Sequence, residues 1–116
     1  MIDNSEKYSY EIKGWIRTLD YLQQENIHMK NQISDILSLN AAPNVLDKIE
    51  QYNNLFLNKD TVIAFLRRDI KKLQENNLSP EEFHKKRITL RYDMEKMEKE
   101  FGNLKYNFTN YIHEVL

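Results

Sequence analysis

Cysteine is absent from the 116-residue chain, and glycine and proline occur only twice each. Without Cys there is no disulfide framework, no thiolate zinc site and no thiol nucleophile. So few Gly and Pro cannot supply the turns of a β-rich domain, which needs one every ~8–12 residues. Charge of one sign is missing too. The 17 Lys and Arg face 18 Asp and Glu, so a net charge of −1 draws the chain toward neither nucleic acid nor membrane. Long apolar runs are missing as well: the longest, Val62 to Leu66, is far short of the ~20 residues of a bilayer span. The opening Met1-Ile2-Asp3-Asn4-Ser5 has neither the basic nor the apolar region of a signal peptide. Together these absences point to a soluble, cytoplasmic, all-helical protein, and its length suits a single domain over residues 1–116.

What is present is helical periodicity with two interruptions. At Asn40-Ala41-Ala42-Pro43-Asn44, Pro43 disfavours helix at Ala42 and Asn44 is positioned to cap the second helix. At Ser79-Pro80-Glu81-Glu82, Ser79 reads as N-cap, Pro80 as first helical residue and Glu82 as the reciprocal partner of a capping box. Asp3 and Glu6 have the same spacing at the N-terminus. The breaks define three segments of nearly equal length, about 4–39, 44–77 and 80–115, each ~50 Å long as helix.

Each segment carries a 3-4 apolar seam, the signature of coiled-coil-like helices. The first runs Ile12, Trp15, Leu19, Leu22, Asn26, Met29, Ile33, Ile36. The second runs Val45, Ile49, Tyr52, Phe56, Lys59, Ile63, Leu66, Ile70, Leu73, with Leu55, Val62 and Phe65 widening its apolar side. The third runs from Phe83 through Arg87, Leu90, Met94, Met97, Phe101, Leu104 and Phe108 to Tyr111 and Val115. A middle helix that touches two neighbours needs the wider face. Short connections between equal helices predict an antiparallel up-down-up three-helix bundle. In length, and in placing Trp15 early in its first helix, the chain resembles a single spectrin-type repeat; the likeness is one of architecture, without a motif.

Two Glu-x-x-His steps, Glu25 to His28 and Glu81 to His84, invite a metal reading, because paired steps of this kind build carboxylate-bridged metal sites in bundles. Bundle geometry separates them by about 29 Å of rise, and His113 lies near the opposite end, so no metal and no cofactor is expected. The same separation excludes a His-based triad, and no Gly-rich phosphate loop exists, since Gly14 and Gly102 both fall inside helices. An enzyme is not expected.

Three groups of residues carry more information. Asn26, Lys59 and Asp60 fall at one height and predict a polar layer in the core, with Met97 and Glu98 beside it; a seam Asn is a device for fixing register. Arg67, Arg68, Lys71, Lys72, Lys85, Lys86, Arg87 and Arg91 gather at one end of the rod. Glu81–Lys85, Glu82–Lys86 and Lys71–Glu75 form ordinary i,i+4 pairs there. Arg67–Lys71, Arg68–Lys72 and Arg87–Arg91 are like-charge pairs that a merely solvated surface explains poorly. Ile27, Leu57, Phe65, Ile88 and Tyr92 lie off the seams, where shared faces mark contact surfaces.

The reading is therefore a non-enzymatic helical interaction module that acts through its helix surfaces on a protein partner and self-associates, as a homodimer. The alternative is a polyanion binder (phosphate, nucleic acid or an acidic protein surface) using the basic end; no nucleic-acid motif accompanies those residues.

Overall fold

The computed structural model describes residues 8–75 and 77–116. Of these, 90% are helical and none is in a strand. Three helices succeed one another: α1 (Ser9–Leu37), α2 (Pro43–Gln74) and α3 (Pro80–Val115). They pack up-down-up into a rod with extents of 63 × 18 × 17 Å. No helix among the described residues is long and apolar enough to cross a membrane.

Helix ends obey local backbone chemistry. After Leu37 the Ser38 N–H still reaches the carbonyls of Ser34 and Asp35, and the chain then leaves the helix ahead of Pro43. Pro43 itself opens α2, with extended Ala42 as N-cap and no side-chain capping bond. Asn44 is thus inside the helix, not its cap. Proline suits the first helical position because its fixed φ matches and its missing N–H would have had no partner. At α3 the Ser79 hydroxyl accepts from the Glu82 N–H at 3.1 Å. The Glu82 carboxylate does not return the bond among the described residues. The middle helix stops at Gln74, where Glu75 turns extended. The Asp3–Glu6 pair lies outside the described residues.

All eight seam positions of α1 are buried, including Asn26. So are the seam residues of α3 from Phe83 to Phe108, and those of α2 apart from Val45 and Lys59. The core is one continuous cluster along the rod. Between α2 and α3, Phe56 meets Phe108 edge-on at 5.2 Å and Phe101 at 6.3 Å, while Tyr52 meets Phe108 at 5.3 Å. Such edge-to-face pairs add about 0.5–1.5 kcal/mol each beyond burial.

Candidate interaction surfaces

The polar layer forms, but it divides between two helix pairs. Asn26 Nδ2 donates to the Phe56 carbonyl at 3.0 Å and to Asp60 Oδ1 at 2.5 Å. Lys30 closes on the other Asp60 oxygen at 2.6 Å. Lys59 turns away from Asn26 and pairs with Glu100 of α3 at 3.4 Å. The split comes from heptad geometry, since adjacent residues on a central helix point to different neighbours. The same contact sets the α3 height. Glu100 stands beside the layer, within one turn of the expected Met97 and Glu98. Lys30, one turn after Asn26 and facing the acid, is the member that sequence reasoning missed.

At the basic end, three of the eight cations are committed within the chain. Arg67 donates to Asp20 at 2.8 Å and Gln23 at 2.6 Å, both on α1. Arg87 is buried in the α3 seam, with Nη1 at 3.4 Å from Glu11 and its guanidinium 4.2 Å from the Tyr8 ring centroid. Its Nη2 lies 3.3 Å from His84 Nδ1. Arg91 takes the second Glu11 oxygen at 2.8 Å. Acids of α1 therefore relieve the like-charge pairs Arg67–Lys71 and Arg87–Arg91, a tertiary partnership that i,i+4 counting along one helix does not reveal. Arg87 is readable as a core cation from its seam position, and Glu11 from standing beside seam residue Ile12.

Five cations remain. Arg68 stacks on Phe65, 4.8 Å from the ring centroid. Lys71, Lys72, Lys85 and Lys86 make no hydrogen bond or ion pair among the described residues, so the three ordinary i,i+4 pairs expected there are open. Lys72, Lys85 and Lys86 border a groove of about 260 Å³ between α2 and α3, which Asp69 and Asp93 also line.

The off-seam apolar side chains are all exposed but occupy different sides. Ile27 lines the α1–α2 groove with Ala64, and Leu57, seven residues before Ala64, shares that stripe. Phe65 and Val62 border the α2–α3 groove, and Leu55 continues that row beside Leu104. Ile88 and Tyr92, one turn apart on α3, line neither the α1–α2 groove nor the α2–α3 groove. They form no single patch.

The parallel pair α1 and α3 is strapped twice, by Glu11 with Arg87 and Arg91 and by Glu25 with Lys105 at 3.1 Å. Between the straps lies a groove of about 580 Å³ bordered by Gly14, Tyr21, Glu98 and Gly102. A methyl group at either glycine would meet nothing within 4 Å. The Lys105 hydrogen bond and charge hold the Glu25 carboxyl below its ordinary range, against a smaller opposing effect of burial. Burial pushes the Tyr52 hydroxyl above its ordinary range. Among the described residues no three His, Asp or Glu converge on one point.

Comparison of the chain with protein-family models, with curated proteins and with solved structures finds no match in any of the three.

Proposed function

We propose that the chain is a non-enzymatic, cytoplasmic helical module that works by presenting its helix sides to a protein partner, a second copy included. The observation that carries this reading is the exposed apolar set outside an already filled core: Ile27, Leu57, Phe65, Ile88 and Tyr92 are 41–65% exposed. Every seam is packed without them, and charged residues there would serve solubility better. A pocket walled off from water, with converging acid and base groups, is what chemistry would need, and the shallow grooves along the rod suit side-by-side contact instead.

The test is affinity capture with the parent chain and with Ile27→Glu, Phe65→Glu and Ile88→Glu. A protein partner should survive about 0.5 M salt, where the Debye length is only a few ångströms, and should be lost with one of the substitutions. A partner released by salt and indifferent to all three would overturn the reading in favour of the second one. That second reading is a polyanion site at the basic end, and the specific support for it is the set of lysines that have no ion-pair partner among the described residues, Lys71, Lys72, Lys85 and Lys86. Its mark would be affinity falling steeply and linearly with the logarithm of salt concentration.

A further inference from the structure

Resting on the interaction-module reading, we infer that the α2–α3 side of the rod binds a second copy of this chain, antiparallel, about a two-fold axis at the height of residue 60. Along α2 this side shows Leu55, Asn58, Val62 and Phe65, spaced 3-4-3, with Leu55 48% and Phe65 50% exposed. The row is its own mirror about residue 60. An antiparallel copy lays Phe65 on Leu55 of the second copy and Val62 on Asn58 of the second copy, and symmetry repeats both contacts. Self-complementarity of this kind is what an isologous interface requires.

Charge on α3 gives the same axis independently. The Lys59–Glu100 contact sets residue 60 of α2 at the height of residues 99–100 of α3. Lys86 and Glu114 lie fourteen residues either side of 100, two heptads each way and thus on one stripe of the helix. In the antiparallel copy each Lys86 faces Glu114 of the other chain. Glu100 then meets its own copy on the axis, where each carboxylate keeps Lys59 at 3.4 Å and Lys96 at 4.0 Å. A parallel arrangement would instead set the two basic ends side by side, with Lys72 and Lys86 of both chains together.

Area also favours side-by-side pairing. A stable interface takes about 800 Å² from each partner. One side of a rod 63 Å long and 18 Å wide offers about 1,100 Å² in projection, so only overlap along most of the length suffices. Apart from the Glu100 pair, which Lys59 and Lys96 offset, one contact in this register is unfavourable: Lys48 meets Lys72 of the second copy. That flaw supplies a test with a gain as its readout.

The experiment is sedimentation equilibrium of the purified chain from micromolar to millimolar concentration, with circular dichroism confirming that each variant is folded. The parent should reach twice 14.1 kDa. Phe65→Glu, at a half-exposed position that the fold does not need, should weaken the dimer about a hundredfold, and Leu55→Glu should do the same. Lys48→Glu should tighten it about tenfold by turning the repulsive pair into an attractive one. Tyr21→Glu, on the α1–α3 side, should change nothing. A parent that stays monomeric throughout overturns the inference while leaving partner capture, and with it the broader reading, intact. A dimer that survives Phe65→Glu and Leu55→Glu, or dissolves with Tyr21→Glu, also overturns it.

Discussion

Asn26 and Arg87 are the two buried polar side chains among the described residues, and the bundle treats them differently. Asn26 is neutral, wholly buried at mid-rod, and uses both amide hydrogens to tie α1 to α2. Both its partners are acceptors, which fixes the orientation of the amide. Arg87 is a cation near the basic end, tying α3 to α1 through Glu11 and the face of Tyr8. Among the described residues each leaves one buried atom without a partner, Asn26 Oδ1 and Arg87 Nε. The difference teaches that height along the rod decides what polarity the core tolerates. Near the end, Glu11 keeps 28% of its side chain in solvent and the pair is only partly desolvated. At the fully buried Asn26 site an ion would give up a hydration energy far larger than that of a neutral amide.

The strongest way to break this contrast is to charge the mid-rod site. Asn26→Asp is nearly isosteric, yet at pH 7 its carboxylate faces the Phe56 carbonyl and the Asp60 carboxylate. The expected loss in urea denaturation is about 3–5 kcal/mol. The sign with pH is determined: the folded site raises the pKa of this new acid, so stability recovers as pH falls through that raised value and is complete below about 4. A variant as stable as the parent at pH 7 would mean that mid-rod is wetter than its burial indicates.

Removing Glu11 comes next. Glu11→Ala strips Arg87 and Arg91 of their shared anion and should cost about 2 kcal/mol, below the value for a fully buried pair because solvent reaches this end. Adding Arg87→Met should restore much of that loss, and a double variant worse than either single one would contradict the assignment. Asn26→Leu is milder. It forfeits two hydrogen bonds, but Lys30 keeps Asp60 neutralised, so about 1 kcal/mol should be lost. The seam Asn taken only as a register device predicts the opposite sign, a stabilised leucine variant. The smallest effect is at Glu25, whose lowered pKa contributes stability above the ordinary carboxyl value of ~4.3 and loses it as pH falls through the folded value. Glu25→Gln should flatten that part of the acid profile by a few tenths of a kcal/mol, since both partners are partly exposed.

The three seams and both breaks are legible in the sequence because apolar spacing reports which stripe of a helix is buried, independently of what buries it. The same arithmetic, counted from the α1–α2 connection, places Asn26 and Asp60 together. It also groups Lys59 with them, because a seam assignment does not say which of two neighbours a central helix turns each residue toward. The basic end reads as more available than it is: its neutralising acids, Asp20 and Glu11, come from 47 and 76 residues away and leave no local pattern. Helical spacing separates Leu57 from Phe65, eight residues and so about 80° apart round α2, but which groove each borders depends on the rotation of the helix about its axis.

The two straps between α1 and α3 also bear on the order in which the chain assembles. Glu11–Arg91 and Glu25–Lys105 each join residues 80 positions apart, whereas the Asn26 bonds to α2 span 30–34. Closing the longer loop from an open chain costs about 0.9 kcal/mol more, so either adjacent hairpin has the entropic advantage at the start. Contacts absent from the transition state act on the rate of leaving the native basin, not of reaching it. Glu11→Ala should therefore steepen escape, moving the unfolding arm of a chevron upward by most of its equilibrium effect and leaving the refolding arm nearly in place. Asn26, seated between the helices that meet first, should move both. The last strap to close is then the first to open, and the groove flanked by Gly14 and Gly102 is the side on which the rod begins to come apart.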